Sequence, residues 1–242
     1  MTTEKEAMLG HPFSIRFNDE LMTDEMIDAL DLKAATRALR LLREVIGWER
    51  MFEILRPMIE ESEARWAGFL EEAGGRFAAT PNYFEVTGLS AEYLVSWVTA
   101  KIELQEFNWY MHPEHFVWST IDKEFGQYKP GDKLVVEPWG SIMHHGALNI
   151  VPADSLDTCG EIDDSFPIKF AGASYFPDGS LKKTVFYQWK PTETGFVMKC
   201  AGANPAHLPD DVRAGLKEHL KLEWCKALQL ARKEAEEAQA QE

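Results

Sequence analysis

The 242-residue sequence is poor in cysteine and in clustered basic charge, and each deficit disfavours a class of protein. Cys159, Cys200 and Cys225 are widely spaced and form no C-x-x-C motif, which disfavours a disulfide framework and a zinc site built from thiolates. The 25 Lys and Arg residues are outnumbered by 40 Asp and Glu residues, so the net charge is −15. A charge of that sign disfavours nucleic acid and anionic membranes as partners, because both require clustered Lys and Arg.

Several familiar motifs are missing as well. No apolar run is long enough to span a bilayer, and the opening MTTEKEAMLG lacks the basic-then-apolar pattern of a secretory signal. We therefore expect a cytoplasmic protein. The sequence contains no G-x-S-x-G, G-x-G-x-x-G or Walker A motif, which disfavours a serine hydrolase with a nucleophile elbow and any nucleotide cofactor.

Hydrophobic periodicity divides the chain into a helical first part and a strand-rich second part. Residues 20–110 place apolar side chains at three- and four-residue intervals, and Pro57 is expected to kink or divide this helical run. The segment TPNYFEVTGLS is expected to be a connector. After Pro113 the sequence predicts strands separated by turns, with a hairpin at PDGS. A long helix is predicted from just after Pro209 to the end.

This order of elements predicts an α+β fold. Residues 1–85 form a helical N-terminal region, and residues 86–242 combine an antiparallel sheet with one long C-terminal helix. A curved sheet wrapped against a single helix provides a ligand cavity, so this second region is the expected location of a binding site.

The last helix carries two polar side chains close to its apolar stripe. His219 and Glu223 are four residues apart, so they point in the same direction from a helix. A carboxylate directed toward a core costs several kcal/mol, roughly, unless it is paired or bound to a metal. An ordinary His–Glu ion pair and a metal site are both compatible with this spacing.

Three further segments place polar groups near the expected cavity. His112 and His115 lie in NWYMHPEHFVW at the junction of helix and sheet, and Glu137 follows the apolar strand run KLVVE. His144 and His145 are adjacent in a predicted strand, so at most one of them can line a cavity. Imidazole and carboxylate donors in this mixture suit Zn²⁺, with Fe²⁺ and Mn²⁺ as competitors.

With these residues in place, the sequence resembles the diacetylphloroglucinol and phloretin hydrolases. The resemblance rests on the HPEH segment after a helix, a strand glutamate about two dozen residues later, and the C-terminal H-x-x-x-E helix. The family consists of zinc-dependent enzymes with a Bet v 1-like, helix-grip catalytic domain, which cleave a carbon–carbon bond next to an aryl ketone. The resemblance implies the zinc ligands His112, Glu137, His219 and Glu223. It also implies a homodimer formed through the N-terminal helices.

The resemblance further implies a small aromatic ketone as substrate. Candidate substrate contacts, chosen by location alone, are Tyr110, Tyr175 and Tyr187. His115 and His145 are the candidates for general acid–base catalysis. Two alternatives remain open: a helix-grip protein that binds a hydrophobic ligand without catalysis, and a metal-dependent lyase or cyclase that acts on an aromatic substrate.

Overall fold

The computed structural model describes residues 15–156, 159–176 and 178–240. The chain divides into two compact units, residues 1–45 and residues 46–242. The opening segment MTTEKEAMLG, examined above for a secretory signal, lies outside the described residues. The first unit contains a hairpin of β1 (Ile15–Phe17) and β2 (Glu20–Met22), followed by helix α1 (Asp24–Ile46), whose last residue falls in the second unit.

The second unit is built on a seven-stranded antiparallel sheet. The strand order is β3-β9-β8-β7-β6-β5-β4. The strands are β3 (Phe77–Thr87), β4 (Val117–Thr120), β5 (Lys133–Trp139), β6 (Ile142–Val151), β7 (Ile168–Tyr175), β8 (Leu181–Pro191) and β9 (Gly195–Pro205). The helices are α2 (Trp48–Glu72), α3 (Ala91–Lys101), α4 (Gln105–Met111) and α5 (Asp210–Gln239), with a short 3₁₀ helix at Ala153–Leu156.

Strand alternation gives the sheet two differently packed faces. On β5, Val135, Glu137 and Trp139 line the inner face, while Leu134 and Val136 point outward into a core shared with α2. The inner face is covered by α5, whose apolar residues join the same core as Trp139. A single long helix held by an antiparallel sheet is the helix-grip arrangement, so the predicted α+β fold class is confirmed.

Two glycines bring α5 into direct backbone contact with the β5–β6 turn. A Cβ atom added at Gly215 would lie 2.1 Å from the Gly140 nitrogen, and Gly140 itself has a φ of 57°. Ser141 N donates a hydrogen bond of 3.2 Å to Asp211 Oδ2 in the first turn of α5. This close approach fixes the helix against the end of the strand that carries Glu137.

The helical run divides at a glycine rather than at the predicted proline. Gly47, with a φ of 75°, precedes the first residue of α2, whereas Pro57 lies inside that helix. Proline removes one backbone hydrogen bond, but α2 buries Phe52, Ile59 and neighbouring apolar residues against the sheet. Packing of this face therefore holds the helix together across Pro57.

The predicted connector TPNYFEVTGLS is wrong, because most of it belongs to strand β3. Phe84 and Val86 pack against the main core, while Tyr83 and Glu85 are exposed, which is the two-residue alternation of a strand. Pro81 is tolerated because β3 is an edge strand. The predicted boundary between residues 85 and 86 falls inside β3, and an oligomerisation role for residues 1–85 stays a prediction.

Other expectations agree with the structure. At the predicted PDGS turn β7 and β8 form a hairpin, with a 2.8 Å hydrogen bond from Phe176 N to Ser180 O, while Pro177 itself lies outside the described residues. The C-terminal helix begins after Pro209, as predicted. None of the helices in the described ranges combines the length and the apolar character needed to cross a bilayer.

Candidate metal centre

Four buried polar side chains converge on the inner face of the sheet. Nε2 of His115 lies 3.1 Å from Nε2 of His219, and each of these nitrogens lies 3.3 Å from Oε2 of Glu137. Oε1 of Glu223 lies 3.9 Å from Nε2 of His115. We call His115, Glu137, His219 and Glu223 the inner cluster.

Three elements supply the inner cluster. His219 and Glu223 occupy successive turns of α5 and face the sheet, as their spacing predicts. Glu137 projects from the inner face of β5. The HPEH segment forms a turn after α4, in which His115 N donates a 3.2 Å hydrogen bond to His112 O. This turn carries the His115 side chain into the centre.

Surrounding groups orient the donor atoms of the inner cluster. The Nδ1–H of His115 donates to the backbone carbonyl of Asn108 at 2.7 Å, because a carbonyl oxygen can only accept. Nε2 of neutral His115 therefore carries a lone pair, and it faces the cluster. Nε1–H of Trp139 donates to Oε1 of Glu137 at 3.0 Å, which leaves Oε2 directed at the two imidazoles.

Burial and the neighbouring charges shift the pKa values of Glu137, His219 and Glu223. Burial opposes ionisation of Glu137, but the adjacent imidazoles of His219 and His115 hold the pKa of that carboxyl well below its usual range. Burial raises the pKa of Glu223 in spite of the same two imidazoles. Burial also opposes protonation of His219, yet the Glu137 carboxylate raises the pKa of His219 above its ordinary value. These coupled groups therefore share protons, which a bound divalent cation would displace because its ligands have to be deprotonated.

The inner cluster fits a divalent cation in both chemistry and spacing. Nε2 of His115 and Oε2 of Glu137 face each other at 3.3 Å, so a proton or a cation is needed between them. Nitrogen and oxygen ligands about 2.0–2.2 Å from a tetrahedral Zn²⁺ lie roughly 3.3–3.6 Å from each other. The four distances given above, 3.1 to 3.9 Å, bracket that range, and His115, His219 and Glu223 each offer a donor atom within 4.8 Å of the other two. Two imidazoles and two carboxylates suit Zn²⁺, Fe²⁺ or Mn²⁺.

His112, a predicted ligand, lies beside the inner cluster. Its ring stacks on His219 with centroids 3.8 Å apart, and its Nδ1 accepts a 3.1 Å hydrogen bond from Glu114 N. Burial and the neighbouring imidazoles of His219 and His115 lower the pKa of His112 to about 3. Within the described chain His112 forms no ion pair with Glu137 or Glu223. The two imidazoles close to Glu137 are those of His219 and His115. His115 was predicted to be an acid–base residue and not a ligand.

The second predicted acid–base residue, His145, lies outside the cavity. Its Nδ1 is 3.3 Å from Glu63 on α2, on the outer face of the sheet. Because adjacent strand residues point to opposite faces, the cavity side belongs to His144. The assignment of His145 to the catalytic cavity is therefore corrected to His144, whose ring stacks on Trp139 with centroids 4.0 Å apart.

Of the three predicted substrate tyrosines, only Tyr187 lines the cavities beside the inner cluster, which are described in the next paragraph. Tyr187 lines them from β8, where burial raises the pKa of its phenol well above the ordinary value. Tyr110 and Tyr175 are exposed at 44% and 38% and belong to neither cavity wall described below. Tyr110 is the last residue but one of α4, and Tyr175 is the last residue of β7.

Two neighbouring cavities adjoin the inner cluster. The first, of about 50 Å³, is lined by Glu137, His219 and Glu223. The second, of about 320 Å³, is mainly apolar, and its lining includes Val98, Ile102, Met111, Phe170, Trp189 and Trp224. The two share walls at Trp118, Leu148, Tyr187 and Glu223. An apolar ligand in the larger cavity can thus present a polar end to the cluster.

Sequence reasoning missed Lys183, which also lines the smaller cavity. The signal was present in the β8 sequence, because Lys183, Val185 and Tyr187 alternate along one face of the strand. Once Tyr187 is taken as a cavity residue, the same alternation places Lys183 beside it.

Comparisons with known proteins add fold neighbours of limited similarity. No protein-family model matches the chain, and no curated protein does. Ara h 8.0201 is 13% identical, with 64% of this chain and 98% of that chain covered and a TM-score of 0.41. Protein MLL2253 from Mesorhizobium loti is 13% identical over 63% of this chain and 96% of that chain, with a TM-score of 0.37. The di-domain ARO/CYC StfQ from the steffimycin biosynthetic pathway is 17% identical over 94% of this chain and 69% of that chain, with a TM-score of 0.39. At these TM-scores the fold assignment rests on this chain's own strand order and C-terminal helix.

Proposed function

We propose that this protein is a metal-dependent hydrolase that cleaves a carbon–carbon bond next to the ketone of a phenolic substrate. The substrate class is the acylphloroglucinols and phloretin-like ketones that the sequence resemblance implies. The observation that carries the proposal is the inner cluster, four buried nitrogen and oxygen donors at the end of an apolar cavity. An ion pair alone does not require two imidazoles and two carboxylates to share one buried point.

The inner cluster would hold the cation through His115, Glu137, His219 and Glu223. A divalent cation bound there supplies Lewis acidity, which polarises a carbonyl group and acidifies water. Asn108 and Trp139 hold the cluster side chains in place through the hydrogen bonds described above. The cation is Zn²⁺ by donor chemistry, with Fe²⁺ and Mn²⁺ as alternatives.

The remaining cavity residues bind and orient the substrate. The apolar wall excludes water from an aromatic ring, and Trp189 and Trp224 are two of its aromatic residues. Burial, and then the nearby lysine ammonium groups, hold the pKa of His144 well below its ordinary value, so this imidazole is neutral at neutral pH. Its Nδ1 has no hydrogen-bond partner among the described residues and is free to contact a ligand oxygen.

The overall reaction would consume one water per substrate. Water adds to the ketone carbon, the bond between that carbon and the ring breaks, and the ring carbon takes up a proton. The products are a carboxylic acid and a phenol. This chemistry needs a ring that can accept the electron pair of the broken bond, which a polyhydroxylated aromatic ring provides.

The test is metal analysis of the purified protein followed by product analysis with a panel of acylphenols. We expect about one Zn²⁺, Fe²⁺ or Mn²⁺ per chain, and an acid plus a phenol as products. His219→Ala should abolish both metal and turnover, while His207→Ala, at a histidine outside the cluster that contacts Arg76, should change neither.

Other outcomes identify the alternatives. A protein that binds acylphenols with no metal and no turnover would be a ligand-binding helix-grip protein. An aldehyde or a cyclised product would instead indicate a lyase or a cyclase. Full metal retention in His219→Ala would disprove the proposed centre.

A further inference from the structure

Lys183 is a buried lysine that faces the smaller cavity without an anionic partner. Its side chain is 6% exposed, and its Nζ lies 4.0 Å from the centroid of the Trp139 ring. Glu137, His144 and Tyr187 line the same cavity. Across the part of the chain that the structure describes, the Lys183 ammonium forms no ion pair and no hydrogen bond.

The other buried lysines are all neutralised. Described buried lysines other than Lys183 each pair with a carboxylate: Lys133 with Glu103, Lys182 with Glu63 and Lys199 with Glu161. Burial of an unpaired ammonium group costs several kcal/mol, roughly, unless an anion or loss of the proton compensates. Lys183 is therefore the buried lysine in the described chain that has no counter-ion within the protein, so it either gives up its proton or binds an anion from outside.

A count of charges at the cavity indicates the sign of that missing group. This step rests on the proposed function, because it includes the divalent cation. Two positive charges on the cation balance the carboxylates of Glu137 and Glu223, which leaves the ammonium of Lys183 uncompensated. With Lys183 protonated, a ligand that carries one negative charge makes the cavity neutral, and a neutral ligand leaves the ammonium group uncompensated.

We propose that Lys183 is a specificity-determining residue whose ammonium binds the ring oxyanion of a phenolic ligand. The phenol binds as its phenolate, held by a charge-assisted hydrogen bond from Nζ. Burial lowers the pKa of Lys183 to about 7, although the Glu137 carboxylate opposes the shift. A phenol that meets the neutral amine can therefore transfer its proton: the O–H bond breaks, an N–H bond forms, and an ammonium–phenolate pair results.

The same contact serves the proposed hydrolysis. When the bond to the ketone carbon breaks, its electron pair passes to the ring and is delocalised onto the ring oxygens. An ammonium group beside one of those oxygens stabilises that charge until the ring carbon is protonated. Lys183 then orients the substrate and stabilises the departing ring.

The proposal is tested with a phenol that contains no ketone, so that binding is measured without turnover. The probes are para-nitrophenol and its methyl ether para-nitroanisole, added to the full-length protein as purified with one equivalent of Zn²⁺. At mildly acidic pH free para-nitrophenol is largely protonated, and its phenolate absorbs at longer wavelength. We expect the wild type to bind para-nitrophenol about ten- to a hundredfold more tightly than the ether and to display the phenolate band.

Variants assign the effect to one side chain. Lys183→Met should remove both the preference and the phenolate band, while Lys183→Arg should retain the band because it keeps the cation. Lys190→Met removes the same charge from the exposed end of the same strand and should leave both unchanged. Circular dichroism and the melting temperature establish that each variant is folded.

Two results would overturn the proposal. If the wild type binds the phenol and the ether equally, no anion site exists, and this comparison needs no variant. If folded Lys183→Met retains the phenolate band, another group, such as the metal, binds the oxyanion.

Measurements of acylphenol hydrolysis distinguish the role of Lys183 from the proposed hydrolase activity. Loss of the band in Lys183→Met without any acylphenol hydrolysis by the wild type would support Lys183 and reject the hydrolase. Hydrolysis with kcat and KM unchanged in Lys183→Met would reject Lys183 and keep the hydrolase.

Discussion

The Nε2 atoms of His115 and His219 lie 3.1 Å apart and face the same oxygen of Glu137. One imidazole comes from the turn after α4 and the other from the middle of α5, so the pair joins two distant parts of the chain. Because Nδ1 of His115 donates to a backbone carbonyl, the tautomer that directs a lone pair at the cluster is fixed. A buried point that gathers several lone pairs is suited to a cation.

The first prediction separates His115 from His112 as a metal ligand. His115→Ala should lower metal affinity by more than about a hundredfold, the upper limit for loss of an outer contact, because it removes a donor. His112→Ala should lower the metal affinity much less, since His112 stacks on His219 and forms no ion pair with Glu137 or Glu223 in the described chain. Competition with a chromophoric chelator measures both affinities. If His112→Ala loses the metal and His115→Ala retains it, the ligand set implied by the resemblance is the right one.

The second prediction concerns the hydrogen bond from Trp139 to Glu137. Trp139→Phe keeps an aromatic ring but removes the Nε1–H that orients the carboxylate, so metal affinity should fall about ten- to a hundredfold. Trp97→Phe is the matched control, because Trp97 Nε1 donates a 2.9 Å hydrogen bond to Glu234, outside the cluster. An equal loss of affinity in both variants would show that the effect is structural and not specific to Glu137.

Sequence reasoning located the chemistry of the site better than its geometry. Periodicity placed His219 and Glu223 on one side of a helix and Glu137 on one face of a strand. The family resemblance was needed to join the three in one ligand set. His115 was named but given a different role. The HPEH segment is a turn, and the direction of a side chain in a turn depends on backbone hydrogen bonds that no periodicity encodes.

The order of helices and strands in the second unit was largely predictable from the sequence, but the edge strand β3 was not. Strand β3 looked like a connector because Pro81 and the polar residues around it suit a loop, and only pairing with β9 shows that they form an edge strand. Alternation showed that at most one of His144 and His145 lines the cavity, but it does not say which face of the strand α2 covers, and His145 was the wrong choice. Packing against Glu63 decides that question.

The third prediction tests the contact between the β5–β6 turn and α5. Gly215→Ala places a methyl group within 2.1 Å of the Gly140 nitrogen, so the helix has to shift away from the turn. We expect a loss of about 1–3 kcal/mol in the free energy of unfolding, measured by urea denaturation, together with weaker metal binding. Gly68→Ala in α2 is the control, because its added methyl group meets no atom within 4 Å. That control should be neutral or stabilise by up to about 1 kcal/mol. An unchanged stability in Gly215→Ala would show that the turn and the helix are not tightly packed.

The fourth prediction is a pH dependence of stability that originates at His145. Burial, and then the Lys182 ammonium, hold the pKa of His145 well below its ordinary value, and the adjacent Glu63 is already bound by Lys182 at 2.6 Å. In the unfolded chain the same imidazole takes up a proton near pH 6.5, roughly, so the unfolded state binds more protons below that pH. The wild type should therefore lose stability as the pH falls below about 6.5, and His145→Gln should lose about 1 kcal/mol less between pH 6.5 and 5.5. Urea denaturation at each pH measures the difference, with His207→Gln as the control. A slope in His145→Gln as steep as that of the wild type would contradict a buried, neutral His145.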